Sequence, residues 1–497
     1  MSGPISDHVK RLTLVACVLG SSIALLDATI VNVALPAIQR SLHGGLSTQQ
    51  WVVDAYALTL GALILVGGSL GDVFGEKRVF VIGVVGFGIT SLGCAAAPTA
   101  GVLIGLRALQ GVAGALLTPA ALAVITTTFP AEERGAAVGT WTAWGAIATI
   151  IGPLAGGGLV SVASWRWIFL VNLPLVAVTL VLVIRFVPDA AHDRGRHVDL
   201  PGAVLAALGL GGPVFALIEQ PRLGWTSPAV LGSLIGGVVL LGAFLARERS
   251  ARDPMLPLRL FGRRNFAVAN AETLVMYAGL SVLFFLLALF LQEVAGWTAT
   301  QAGLATLPTT LVMFALSKRV GRLADQRGPR LFMGLGPLVA AVGLLLFLRV
   351  GRHVNVAADL LPALLVFALG LSLTVAPLTA TVLAGVGEGQ AGIASAVNNA
   401  VARVAGLVGV AALGPVIGSH LSVSKFHLAL GAAAVLLALA GTVGATLIRN
   451  PTRLVLAAEC SGGQIAGAAH DAAGCRDESA VSSAPVWGPR EKARAAN

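Results

Sequence analysis

The sequence predicts an all-α integral membrane protein with two bundles of six helices and two further helices inserted between them. Three observations predict this architecture. Of the 497 residues, 56% are hydrophobic and only 11% are charged, whereas soluble domains carry about 25% charged residues. The apolar residues fall into fourteen runs that each approach the ~20 residues needed to cross a bilayer. One short motif also occurs twice, at equivalent places in the two halves.

The fourteen apolar runs are long, continuous and not alternating, so helices rather than strands are expected to satisfy their backbone in lipid. We predict spans at 12–36, 50–71, 79–97, 101–128, 136–160, 167–187, 200–218, 228–246, 266–291, 301–317, 329–348, 358–383, 394–418 and 426–448. The predicted domains are a first bundle at 1–187, the two inserted helices with their loop at 188–265, a second bundle at 266–450 and a disordered cytoplasmic tail at 451–497.

Lysine and arginine are shared unequally between the two sides. The N-terminus, the even-numbered loops and the tail hold 25 of them and the odd-numbered loops 6, while Arg107 and Arg403 fall inside spans. The positive-inside rule therefore predicts that both termini lie in the cytoplasm. The membrane is expected to be the plasma (inner) membrane. Tryptophans mark the opposite ends of the spans, where amphipathic rings prefer to lie: Trp51, Trp165, Trp167, Trp225 and Trp297. This sidedness also explains the net charge of +10 without nucleic acid.

The repeated motif reads G-x-L-x-D-x-x-G and is followed by a basic residue. It occurs as GSLGDVFGEKR between the second and third spans and as GRLADQRGPR between the tenth and eleventh, with its aspartates 253 residues apart. Glycine permits tight turns and close helix approach, and aspartate can cap a helix start and pair with a cation. We predict two loops that gate the cytoplasmic face, although a solvated charged turn is the simpler alternative. The gating residues would be Gly68, Asp72, Gly75, Arg78, Gly321, Asp325 and Gly328.

Acidic residues inside a span are costly, at about 2.5–3.5 kcal/mol or more, and are usually functional. Asp27 and Asp54 lie clearly within spans. The helical rise places them about 13 Å and 6 Å from the outer ends of their spans, and Arg107 about 9 Å from the outer end of its own. We therefore expect Arg107 near one of the two carboxylates. Asp27 or Asp54 would bind a coupling proton; the alternative is a structural ion pair with Arg107.

Three further polar residues are candidates for a cavity between the bundles. Glu272, near the start of the ninth span, could equally lie at the membrane interface. Arg403 could face the cavity with Asn399 one turn earlier, or its side chain could extend to the cytoplasmic interface. In the fifth span, small residues at intervals of four and a proline predict a face for close packing and a bend, at Gly152, Pro153, Gly156 and Gly157.

The sequence lacks the common motifs for ATP binding, metal binding and catalysis. No GxxxxGK[ST] phosphate loop, no HExxH and no CxxC pair occurs, so we expect neither ATP, a metal nor another cofactor. No Ser/His/Asp constellation supports an enzyme.

Together these motifs resemble the major facilitator superfamily, in its fourteen-helix drug:proton antiporter branch. LDATIVNVALP is similar to the branch's first-helix motif, with Asp27 in the acidic position, and LIGLRALQGVAGA resembles the fourth-helix motif, whose arginine is Arg107. GPLAGG is similar to the fifth-helix motif of antiporters, WRWIFLVNLP is typical of the branch, and WVVDAYAL carries Asp54 where some multidrug members have an acid. The resemblance implies a proton-coupling role for Arg107.

The resemblance further implies a proton-driven exporter of amphipathic small molecules that alternates access between two bundles. We expect its partners to be a cationic or neutral drug or antibiotic, protons and the lipid bilayer, and we expect a monomer. Two alternatives remain open: an exporter of a specific endogenous metabolite, and a membrane sensor or scaffold that has lost transport.

Overall fold

Fourteen helical spans occupy the places of the fourteen apolar runs. The structure, a computed structural model, describes residues 6–188, 199–251, 254–386, 391–418 and 420–450, with 455–456 and 475–476 of the tail. The single-helix spans are α1 (Asp7–Leu42), α2 (Leu46–Phe74), α3 (Glu76–Ala96), α4 (Ala100–Thr128), α5 (Ala131–Val162), α8 (Leu200–Leu223), α9 (Pro228–Ser250), α13 (Pro329–Leu346) and α17 (Val423–Leu447).

The other spans are built from two pieces. The sixth comprises α6 (Trp167–Leu170) and α7 (Asn172–Phe186), the tenth α11 (Ala299–Ala305) and α12 (Leu307–Arg327), and the thirteenth α15 (Ala391–Ala411) and α16 (Leu413–Ile417). In the ninth, α10 (Arg264–Leu289) continues as a π-helical turn to Val294, and in the twelfth a π-helical turn from Val356 precedes α14 (Leu361–Ala384).

Two names for the ends of the spans are used below. The tryptophan side is the side that carries Trp51, Trp165, Trp225 and Trp297. The basic side is the opposite one, where Arg78, Arg134, Arg264 and Arg330 lie.

The two halves repeat the same helix packing. In the first half α1 packs on α5 and α7, α4 packs on α2 and α3, and α3 packs on α7. In the second half α10 packs on α15 and α17, α14 packs on α12 and α13, and α13 packs on α17. The predicted class of two six-helix bundles with two inserted helices is therefore confirmed, while the domain boundaries remain a prediction.

The repeated motif is not a pair of loops, as the sequence predicted. Asp72 lies near the end of α2 and Asp325 near the end of α12, because both helices continue beyond their apolar runs. The turn begins only at the last glycine of each copy, Gly75 with φ 92° and Gly328 with φ 87°, a conformation that favours glycine. Neither aspartate stands at the start of a helix. Both lie in a last turn, where the helix dipole disfavours an acid.

The inserted helices α8 and α9 pack on each other, and α8 contacts both bundles through α2, α15 and α16. On the tryptophan side, the Trp51 indole donates a 2.9 Å hydrogen bond to Glu219. On the basic side, Asp199 caps α8 by accepting from the Gly202 amide and pairs with Arg247 at 2.7 Å. The hydrogen bond from Arg247 lowers the pKa of Asp199. The first contact therefore anchors the insertion to α2, and the second joins α8 and α9 to each other.

The predicted tail lies outside the described residues, apart from two dipeptides. Val455–Leu456 and Cys475–Arg476 pair as a short parallel ladder.

Candidate functional site

Asp27 and Arg107 form an ion pair in the interior of the first bundle. Nη1 of Arg107 lies 2.5 Å from Oδ2 of Asp27, and the two side chains are 1% and 0% exposed. The depth argument from the sequence left two acids as partners for Arg107, and the structure selects Asp27. Burying either charge alone would cost several kcal/mol of desolvation free energy, so each residue can be buried here only because the other is present.

Two amide side chains complete the environment of the Asp27 carboxylate. Oδ1 of Asp27 accepts hydrogen bonds from Gln110 at 3.2 Å and from Asn172 at 3.1 Å. The Ser91 hydroxyl accepts from the same two amides, at 2.8 Å and 3.4 Å. We call Asp27, Ser91, Arg107, Gln110 and Asn172 the Asp27 cluster. It joins four helices of the first bundle, α1, α3, α4 and α7, and it stabilises the ionised carboxylate, since charge-assisted hydrogen bonds are the strong ones.

The Arg107 guanidinium is satisfied on its other sides as well. Its Nε donates to the Val52 carbonyl at 3.0 Å, and its Cζ lies 4.3 Å from the centroid of the Tyr56 ring, a cation–π distance. The backbone of α2 can approach this closely because position 111 is glycine: a Cβ there would collide with Thr59 and the Tyr56 carbonyl. Gly111 therefore places α2 against Arg107.

The sequence did not single out Gln110, Asn172, Ser91 or Tyr56. Gln110 and Asn172 lay within motifs already quoted, and a signal was present. Gln110 stands three residues after Arg107 in an otherwise apolar run, so both side chains share one helix face.

Asp54 does not belong to the hydrogen-bonded Asp27 cluster. It is fully buried, and neither carboxylate oxygen has a partner within the described ranges. It lies between Gln50 and Gly61 on the face of α2 that meets α15, since these positions are four and seven residues away. An ionised carboxylate without a partner costs far more to bury than a neutral one. Asp54 therefore contrasts with Asp27, whose charge is compensated.

Glu272 is buried by protein inside the second bundle. It is 0% exposed, and both oxygens lack a partner in the part of the chain that the structure describes. Its carboxylate packs against Gly444 of α17, where a Cβ would lie 2.8 Å from Oε2. This position is inside the second bundle and does not line a space between the bundles.

Arg403 lies where α15 of the second bundle meets α2 of the first. It stands twelve residues after the start of α15 at Ala391, which is about 18 Å along the helix and near the membrane centre. A Cβ added at Gly61 of α2 would lie 3.4 Å from the Cβ of Arg403. Its buried Nε has no hydrogen-bond partner among the described residues. Asn399, one turn towards the basic side, is exposed and donates to the Ser395 carbonyl at 2.9 Å.

The two bundles are joined on the tryptophan side by five hydrogen bonds. The contacts are Gln49 to Glu293 at 2.7 Å, Gln50 to the Val410 carbonyl at 2.7 Å, Gln292 to the Val33 carbonyl at 3.0 Å, Thr300 to the Gly157 carbonyl at 3.0 Å and Ser161 with Thr300 at 2.9 Å. We call this set the tryptophan-side seal.

The fifth-span motif belongs to this seal. Gly152 and Gly156 face Thr29 and Ile30 of α1, inside the first bundle. Gly157 faces α11 of the second bundle, where a Cβ would lie 2.7 Å from the Ala299 carbonyl oxygen. The Pro153 carbonyl stands against Gly303 of α11. The motif thus permits backbone contact on both sides of α5.

At the basic side, three polar contacts between described residues each lie within one bundle. Lys10 of α1 pairs with Glu133 of α5 at 2.9 Å. In the second bundle, Arg264 donates to the Leu447 carbonyl at 2.9 Å and Arg330 to the Ala445 carbonyl at 2.6 Å. These contacts differ in kind from the tryptophan-side seal, which connects the two bundles.

Among the described side chains, the predicted gating residues share no polar contact, and their gating role stays a prediction. Asp325 and Arg78 are exposed, and neither has a polar partner in the described ranges; the Asp72 side chain is outside those ranges. Gly321 has no close neighbour and Gly68 makes only ordinary contact with Pro119. The helices α2 and α4 approach each other closely at Gly67 instead, where a Cβ would collide with the Ala115 carbonyl of α4.

Comparison with known proteins places this geometry in a family. The model of the Major Facilitator Superfamily matches residues 17–410. The chain is 36% identical over 417 residues to the multidrug resistance protein Stp of Mycobacterium tuberculosis, covering 84% of this chain and 77% of that one. It is 38% identical over 411 residues to the puromycin resistance protein pur8 of Streptomyces alboniger, covering 81% of each.

Solved structures agree on the fold. The crystal structure of a bacterial homologue of the human lysosomal transporter Spinster superposes with a TM-score of 0.62 at 17% identity, over 88% of this chain and 97% of that one. At this identity the likeness concerns the fold alone. With fourteen spans in two matching bundles, and a family model that covers most of its length, the chain belongs to the Major Facilitator Superfamily.

Proposed function

We propose that the protein is a proton-coupled antiporter that exports amphipathic small molecules, drugs or antibiotics, across the plasma membrane by alternating access. The observation that carries the coupling is the Asp27 cluster: a carboxylate inside the membrane, ion-paired with Arg107 and fully withdrawn from solvent. The resistance functions named for the relatives support export as the direction of transport.

We further propose that the basic side faces the cytoplasm, so that both termini are cytoplasmic. The distribution of lysine and arginine supports this. With this orientation the tryptophan-side seal would close the outward path, and we propose that the described state opens inward. A substrate would then enter between the bundles from the basic side.

Asp27 would carry the coupling proton. In the inward state Arg107, Gln110 and Asn172 compensate the charge of the carboxylate. When the seal opens outward, a proton from outside would bind Asp27 and weaken the ion pair. Each proton that enters supplies about 2.3 kcal/mol per 100 mV of membrane potential. Asp54, buried without a partner, is a second candidate carrier.

Reconstituted transport tests this function. The protein is placed in liposomes with an imposed pH gradient, and movement of puromycin or a fluorescent amphipathic dye is followed with and without an uncoupler. We expect accumulation that the uncoupler abolishes. Flux that is indifferent to the gradient would contradict coupling, and absence of flux for every compound would favour the sensor or scaffold.

The repeated motif supplies a further prediction. Asp325 is exposed near the end of α12, where the dipole disfavours it, so we expect that it gains a cationic partner when the basic side closes. Asp325→Asn should slow the export of all substrates alike, by roughly fivefold for about 1 kcal/mol lost from the closed state. Initial rates for two unrelated dyes measure this, with Asp7→Asn at the same side as the control. A loss confined to one dye would contradict a gating role.

A further inference from the structure

Within the described spans, the Arg403 guanidinium lies in the interior without a counter-ion. Arg107 is paired with Asp27, whereas Arg403 has neither an acidic partner nor a hydrogen-bond acceptor among the described residues. Leaving a guanidinium unpaired near the membrane centre is costly, and such a residue marks a binding or transport path. Its place between α2 and α15, the helices that join the bundles, is where a transporter of this fold binds its substrate.

The acids of the interior are either ion-paired or buried. Asp27 is occupied by Arg107, and Asp54 and Glu272 are 0% exposed. Nearer the tryptophan side, Glu219 accepts from Trp51 and Glu293 accepts from Gln49. Asp27, Asp54 and Glu272 therefore offer no exposed carboxylate to a cation between the bundles, and Glu293 lies in the tryptophan-side seal.

We propose that Arg403 binds an anionic oxygen of the substrate, so that the preferred substrates are amphipathic organic anions such as carboxylates. This inference rests on the proposed export function and names its substrate class. It replaces the expectation of cationic or neutral substrates. The planar guanidinium suits a carboxylate because it can donate two parallel hydrogen bonds.

The neighbours of Arg403 fit an amphipathic anion. Asn399, exposed one turn towards the basic side, donates to the Ser395 carbonyl and carries no charge that would repel an anion. Gly61 leaves room on the facing helix, and Tyr56 is close enough to Arg403 for an electrostatic interaction. The substrate's charged end would contact Arg403, and its apolar body would lie along α2 and α15.

Two dyes with the same xanthene core but opposite charge test the proposal: fluorescein, an anion, and rhodamine 6G, a cation. Binding to the purified protein is measured by fluorescence anisotropy, and export is measured in liposomes with a pH gradient. We expect wild type to bind and export fluorescein better than rhodamine 6G. Arg403→Gln should weaken fluorescein binding about tenfold or more, leave rhodamine 6G unchanged, and be largely rescued by Arg403→Lys.

The outcomes separate the substrate class from the proposed function. Export without preference for fluorescein, or an unchanged dye ratio in Arg403→Gln, overturns the inference and leaves the function standing. Selective, Arg403-dependent binding without gradient-driven export supports the inference and overturns the function. If Arg403→Gln does not fold, competition on wild type decides: octanoate should displace fluorescein and octylammonium should not, and equal displacement overturns the inference.

Discussion

Replacing Asp27 with asparagine is expected to abolish uphill export while leaving the protein inserted in the membrane. Asparagine keeps the shape of the side chain and cannot carry the proton. Arg107 would lose its counter-ion but would keep the Val52 carbonyl and Gln110 as acceptors. Breaking a buried pair costs about 3–5 kcal/mol, so a lower thermal stability is also expected. Gradient-driven accumulation and exchange between equal concentrations are measured side by side; accumulation should vanish and exchange should persist.

A double variant separates coupling from a structural ion pair. Asp27→Asn with Arg107→Gln removes both charges and should recover much of the lost stability, because no uncompensated charge remains. If Asp27 carries the proton, the double variant remains unable to accumulate substrate. Recovery of uphill export together with stability would show that the pair is only structural. Asp54→Asn is the matched control, and loss of coupling there instead would move the proton site to α2.

A disulfide across the tryptophan-side seal is expected to stop transport. The Ser161 and Thr300 hydroxyls lie 2.9 Å apart on different bundles, so cysteines at both positions are close enough to pair. In the variant with Ser161→Cys and Thr300→Cys, oxidation should hold the bundles together on this side. Export should cease and return on reduction. Initial rates before oxidation, after oxidation and after reduction measure the effect.

The native cysteines must not form other disulfides in this experiment. Cys17 and Cys94 are buried and can stay, while Cys460 and Cys475 are replaced by serine. Each single cysteine variant should be insensitive to oxidation. Full export by a completely cross-linked protein would contradict alternating access through this seal.

The fourteen spans could be predicted because length and hydropathy alone decide which segments cross a bilayer. The pairing of Asp27 with Arg107 was within reach for a related reason: helical rise gives the depth of each residue. Depth does not give rotation about the helix axis. Arg403 and Glu272 therefore remained ambiguous, since both could face water, lipid or protein at their predicted heights.

The other errors have equally physical causes. The repeated motif was assigned to loops because hydropathy ends where charges begin, whereas α2 and α12 continue until a glycine with positive φ stops them. Gln110 and Asn172 were missed because neutral amides inside a span cost far less than charges and attract less notice. Their importance is visible only when four helices bring them to the same carboxylate.

The inserted helix α8 has a mechanical consequence. It is held by the first bundle through Trp51 and by the second through the close contact of its Leu217 carbonyl with Gly414. When the bundles rotate against each other, α8 cannot follow both, so one of its two faces must slide or separate in every cycle. The contacts of α8 would then resist the rotation and slow it. Weakening the contacts of α8 with either bundle would change the turnover rate without altering the proton site or the substrate site.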